Sequence, residues 1–227
     1  MDLDVAASKL AHVRWLGGAP GAGKTTIATR LGDAFGLRLY STDETLRRHV
    51  AAATPDRHPL AIAFAGMSMD ARWLDRAPSE MLATFHGFHG ELFELILEDL
   101  LALPREPPIL AEGFRLLPWL VAPLLRTPDG AEQAAWLVST PSFRRAAFDG
   151  RGGTWHGAQQ TRDPERAMQN LLARDAMFNA RIADEGARLG LCIFDVDGRT
   201  TIEALTALVG AALGLPTAPR SNSGRRA

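Results

Sequence analysis

The residues with the plainest chemistry stand near the N-terminus, in the run Gly18-Ala19-Pro20-Gly21-Ala22-Gly23-Lys24-Thr25. Their spacing is G-x-x-x-x-G-K-[ST], a pattern that builds a cradle for a polyphosphate. Glycines let the main chain curl until its N–H groups ring the phosphate oxygens, and the positive end of a following helix favours the same charge. In such a cradle Lys24 reaches the β- and γ-phosphates and the Thr25 hydroxyl meets Mg²⁺, with Thr26 beside it as a second hydroxyl or a cap. Gly18, Gly21, Ala22, Gly23, Lys24, Thr25 and Thr26 are therefore the expected nucleotide contacts. Only two of the 25 basic residues are lysines, Lys9 and Lys24, so chance is a poor explanation for a lysine at this position.

Moving a phosphoryl group also calls for carboxylates. One helps to hold the metal, directly or through water, and another orients or deprotonates the acceptor hydroxyl. Asp43 and Glu112 each close a short apolar run that reads as a strand. In open α/β sheets ligands bind beyond the carboxyl ends of the strands, so both should face the phosphates. The other role open to Asp43 is to cap the helix that follows it.

The elements that must position these groups alternate. Strands are expected at 12–16, 37–42, 109–113, 135–139 and 192–196, and helices at 24–35, 44–53, 78–103, 165–189 and 201–213. Between 54 and 77 the breakers Pro55, Pro59 and Gly66 call for turns and short helices. The helix 78–103 carries Met81, Phe85, Phe88, Leu92, Leu95 and Ile96 on one stripe, with Glu80, Glu91, Glu94 and Glu98 opposite. His86 and His89 fall on its apolar arc and are expected to pack in the core, with no cysteine or carboxylate at a zinc-ligand spacing. Residues 144–164, rich in glycine and arginine, read as a mobile lid, and the tail 217–227 as disordered.

With the loop Gly18 to Thr25 between its first strand and first helix, this arrangement resembles the nucleoside-monophosphate-kinase-like group of P-loop kinases over nearly the whole chain. That group includes shikimate, gluconate and adenylate kinases and chloramphenicol phosphotransferase. The resemblance implies a three-layer α/β P-loop NTPase fold, with a parallel five-stranded sheet of order 2-3-1-4-5 flanked by helices. It implies one domain over 1–216, with an acceptor-binding helical region at about 44–105, a lid at about 144–164, and use of ATP and Mg²⁺. The segment Ala111-Glu112-Gly113-Phe114-Arg115 is similar to one carrying aspartate, glycine, phenylalanine, proline and arginine in adenylate kinases. That similarity implies a metal role for Glu112 and a substrate contact for Arg115. Asp43 lies where shikimate kinases and chloramphenicol phosphotransferase carry an aspartate against the acceptor hydroxyl, and its implied role is general base.

Arg144, Arg145 and Arg151 sit where the group places lid arginines, and Arg144 and Arg151 are favoured to stabilise the transferring phosphoryl group. Arg174-Asp175 looks similar to a pair that returns toward the phosphates, a solvated surface pair being the alternative. Asp195-Val196-Asp197-Gly198 resembles the segment lining the adenine, which brings in Asp197. Asp70, Arg72 and Trp73 lie in the acceptor region, where Arg72 could pair with an anionic group or form a surface salt bridge.

Composition narrows the function classes. A net charge of −1 offers no broad field for a nucleic-acid backbone, and a single tyrosine gives little for stacking bases. One cysteine, Cys192, forms no internal disulfide, no signal-like run opens the chain, and the apolar stretch 116–125 is interrupted by proline and short of a membrane span. The expectation is a cytoplasmic kinase, monomer or homodimer, with a small-molecule acceptor and neither nucleic acid nor membrane as partner. The alternative is a non-catalytic ATP-binding regulatory protein, which would hold nucleotide without acceptor-dependent turnover.

Overall fold

The computed structural model describes residues 3–125, 133–149 and 156–216. Arg151, part of the expected lid and the tail 217–227 lie outside them. The chain opens with α1 (Leu3–Lys9), followed by β1 (Val13–Gly18), α2 (Lys24–Phe35), β2 (Arg38–Ser41) and α3 (Thr42–Ala51). Short helices α4 (Pro59–Gly66), α5 (Met69–Trp73) and α6 (Pro78–Thr84) lead to α7 (Phe93–Ala102) and β3 (Ile109–Glu112). Then come α8 (Pro118–Val121), β4 (Ala134–Ser139), α9 (Pro141–Asp149), α10 (His156–Gln159), α11 (Pro164–Arg188), β5 (Ile193–Val196) and α12 (Ile202–Ala212).

All strand pairings are parallel and the sheet order is β2-β3-β1-β4-β5. Parallel strands need covered faces, and β3 and β4 are buried along their whole length. Alternation sorts their side chains. Trp15, Ala111 and Trp136 join one core with Phe88, Ile96, Phe178 and Ile182, while Leu16, Leu110 and Leu137 join another with Ile27, Leu31 and Val209. Thus α7 and α11 cover one face, α2 and α12 the other, and the result is a three-layer α/β fold with the parallel strand order expected. Burying the Trp136 indole on a strand also requires a partner for its N–H, which donates to the Leu116 carbonyl at 2.7 Å.

Four local expectations are corrected. The helix expected over 78–103 is broken: α6 ends at Thr84, a 3₁₀ turn spans His86–Phe88, and Leu92 takes a left-handed φ of 70° before α7 begins. The apolar spacing runs on through the break, which is why it reads as one helix. Packing decides otherwise, with Phe88 stacked on Phe178 at 3.6 Å between ring centroids and Phe85 edge-on to Phe88 at 4.8 Å. His86 is buried, but His89 is exposed, because the break turns it away from the core. Asp43 does not cap α3: Ser41 occupies that position and Asp43 stands inside the first turn. Finally, the segment starting at Arg144 is not irregular at its outset, since Pro141 opens α9 with Phe143 N–H bonded to the Thr140 hydroxyl at 3.2 Å. Among the described residues no helix is long and apolar enough to cross a membrane.

The exit of β3 shows how tightly the strand ends are packed. Gly113 has φ 143°, and a Cβ there would stand 1.7 Å from the Thr42 hydroxyl at the start of α3. Gly113→Ala is therefore expected to lower stability by about 2 kcal/mol or more, read as a drop in the urea midpoint at unchanged slope.

Candidate active site

The loop that leaves β1 is pinned at one end, where Ala19 N–H donates to the Leu137 carbonyl of β4 at 3.0 Å. Gly18 and Gly21 have φ of 122° and 73°, and a Cβ on Gly21 would lie 1.8 Å from Nη1 of Arg144, so glycine is what lets this arginine lie across the loop. Gly23 precedes α2 without any side chain to cap it, and the first helical bond is Ile27 N–H to the Gly23 carbonyl at 3.1 Å. The N–H groups of Lys24, Thr25 and Thr26 therefore have no acceptor within the helix, which leaves three donors and the positive end of the dipole facing outward. Ala22 is buried beneath the loop.

Lys24 is only 6% exposed and curls back so that Nζ donates to the Ala19 carbonyl at 2.8 Å. Burial pushes its pKa below the ordinary lysine value, and the charges of Asp43 and Glu112 oppose that shift. Glu112 is 2% exposed, and both of its oxygens are engaged: Thr25 donates to Oε2 at 3.2 Å and Ser41 to Oε1 at 2.7 Å. A buried carboxylate is tolerable only when bonded in this way. Ser41 was missed in the sequence. Its signal is register, because the last residue of β2 lies directly opposite the last residue of β3.

Asp43 stands exposed on the wall of a cavity of about 310 Å³ that also takes in Pro20, Gly21, Gly23, Lys24, Thr25 and Thr26. Across from them it is lined by Trp73, Phe85, Phe88, Phe114 and Leu171, with Arg144 and Arg174 between the two halves. Asp175 is fully buried and joins these arginines. Arg144 donates to its Oδ2 at 2.8 Å, and Arg174 donates to its Oδ1 at 2.6 Å. Arg174-Asp175 is thus no solvated surface pair. The Arg174 guanidinium also lies 5.1, 5.2 and 5.0 Å from the ring centroids of Trp73, Phe85 and Phe88, within cation–π range.

Other expected contacts lie elsewhere. Arg115 does not line the cavity; it is buried behind α3, where its guanidinium donates to the Thr42 carbonyl, to Thr45 Oγ1 at 3.0 Å and to His49 Nδ1 at 3.1 Å. Accepting at Nδ1 makes His49 a donor at Nε2, 2.8 Å from the Asp99 carboxylate, which Tyr40 also holds at 2.7 Å. Arg115 therefore fixes the helix that carries Asp43. Arg72 is likewise absent from the wall and forms no salt bridge among the described residues; it donates to the Phe64 and Ala65 carbonyls at the end of α4, at 3.1 and 2.9 Å. Asp70 bonds Arg162 instead. Asp197, in the loop after β5, accepts from Arg199 N–H at 2.9 Å and is not part of the cavity wall.

No family model matches the chain, and no curated protein does. Among solved structures it is similar to an uncharacterized protein from Eubacterium ventriosum (14% identity, TM-score 0.45, 88% of this chain and 97% of that one). It is also similar to a thymidylate kinase from Candida albicans (16% identity, TM-score 0.44, 88% of this chain and 89% of that one). Both likenesses are too loose for a function to be carried from one chain to the other.

Two outcomes are expected of the groups behind the cavity. Asp175→Ala strands two arginines that it now joins and is expected to cost about 3–5 kcal/mol in urea unfolding. His86 has its pKa pushed down to about 4 by burial, with the Arg115 charge adding to the effect. Its folded value lies below the unfolded one, so the unfolded chain binds the proton more readily and stability falls as pH drops from about 6.5 toward 4. Between pH 7 and pH 5 this residue is expected to cost about 2 kcal/mol. His86→Phe should lose less stability than the parent over that interval, whereas an equal loss would show that His86 is not the titrating group.

Proposed function

We propose that the chain is an ATP- and Mg²⁺-dependent phosphotransferase that moves the γ-phosphoryl group to a hydroxyl or phosphate of a small-molecule acceptor. What carries this reading is convergence: an uncapped helix N-terminus, a buried lysine, a hydroxyl bonded to a buried carboxylate and a separate exposed carboxylate all meet at one cavity. The residues suit the nucleotide. Nothing lies within 4 Å of where a Cβ on Gly23 would stand, so phosphate oxygens have room beside the open N–H groups of α2. Among the described residues no three histidine, cysteine or carboxylate side chains form a metal site on their own. Thr25 and Glu112 would accordingly hold Mg²⁺ together with phosphate oxygens, as this cation is commonly bound. When bound, the metal would offset the negative charge that builds during transfer.

Each side chain then has a task. Lys24 exchanges the Ala19 carbonyl for phosphate oxygens and keeps a cation against them. Asp43 orients the acceptor hydroxyl and takes its proton. Arg144, lying across Gly21, and Arg174, on the acceptor side, bring positive charge to either side of the moving group.

The test is release of ADP by the purified chain with Mg²⁺ across a panel of acceptors. Lys24→Ala is expected to weaken ATP binding and lower turnover by roughly 100-fold or more. Asp43→Ala should reduce transfer by roughly 100-fold or more while sparing ATP binding in calorimetry, and Glu112→Gln should raise the Mg²⁺ concentration needed for half-maximal rate. ATP binding without turnover on any acceptor would instead favour the regulatory role.

A further inference from the structure

The acceptor half of the cavity narrows the substrate class, an inference that rests on the phosphotransferase reading. We propose that the acceptor is an uncharged, ring-bearing alcohol, its ring seated against Trp73, Phe85 and Phe114 and its hydroxyl presented to Asp43.

The wall is aromatic and already braced. Phe85 meets Phe88 at 4.8 Å and Phe114 at 6.0 Å, and Trp73 meets Phe64 edge-on at 5.6 Å. Rings held by other rings lose little freedom when a planar ligand docks, so contact with the ligand is not offset by ordering of the wall. Edge-on contact with such rings favours a flat, unsaturated ligand over an aliphatic polyol.

The charges on this side argue for a neutral acceptor. An acceptor phosphate needs an arginine fork turned toward it. Arg72 and Arg115 are engaged by main-chain carbonyls away from the cavity, and Arg76 by the carbonyls of Ala71 and Arg72 and the Thr84 hydroxyl. Arg174, the cation nearest the aromatic side, directs Nε and Nη2 at Asp175. Asp43 is a carboxylate at the point of attack, where a second anion meets like charge. In the reaction, the acceptor oxygen forms a bond to the γ-phosphorus as the bond from that phosphorus to the β,γ-bridging oxygen breaks. The hydroxyl proton passes to Asp43 and the nucleoside diphosphate leaves.

Calorimetry and ADP release on the full chain with ATP and Mg²⁺ test this, using four probes: 4-nitrobenzyl alcohol, thymidine, thymidine 5′-monophosphate and gluconate. The uncharged ring alcohols are expected to turn over with kcat/KM at least about tenfold above the monophosphate and gluconate. Phe114→Leu, at a half-buried position, should raise their KM about tenfold while leaving ATP binding unchanged. Trp73→Phe, which keeps a ring, should raise it less. Turnover of thymidine 5′-monophosphate or gluconate in preference to the ring alcohols would overturn the proposal, as would a KM unaffected by Phe114→Leu. Loss of ATP binding in the parent protein sinks the phosphotransferase reading itself, whereas intact ATP binding with no binding of either ring alcohol sinks only the acceptor class.

Discussion

The parallel register that sets Ser41, Glu112 and Leu16 side by side at the carboxyl edge of β2, β3 and β1 is the constraint on which the site depends. It brings one carboxylate between two hydroxyls from different elements, Ser41 on β2 and Thr25 on α2, and buries all but a small fraction of it. A carboxylate removed from water in this way must keep its hydrogen bonds, so strand register and side-chain geometry stabilise each other. A slip of β2 by one residue would turn Ser41 to the opposite face and leave an oxygen of Glu112 without its donor.

Around that edge the protein uses buried polar groups to place its elements. Arg115 ties the first turn of α3 to the polar group formed by His49, Asp99 and Tyr40, which sets the position of Asp43 without touching it. Asp175 does the same for α9 and α11 by bonding an arginine from each. Such groups are costly to bury singly and tolerable as satisfied clusters, and they allow one arrangement where an apolar contact would allow several. The aromatic wall is their apolar counterpart, built where the break between α6 and α7 lets Phe85 and Phe88 lean toward Phe114.

The break itself separates what was legible from what was not. The core strands and α2 could be read closely because their evidence is local: short apolar runs, a glycine turn, and a helical stripe that ends at Gly36. The interruption after Thr84 escaped because its apolar residues keep helical spacing across it, and only the packing of Phe88 on Phe178 shows that the chain turns there. Arg72 and Arg115 escaped for a related reason. Type and position cannot distinguish an arginine aimed at a ligand from one bonded to a backbone carbonyl several residues or an element away.

The sequence by itself determined the phosphate-type loop, the alternation of strands and helices, and the two strand-end carboxylates, since each is specified by residue type at fixed spacing. Tertiary structure alone decided that Ser41 shares Glu112 with Thr25, that Arg174-Asp175 is buried, and that aromatic rings from three segments line the same cavity as the loop. These features depend on sheet register and core packing, which no local pattern encodes.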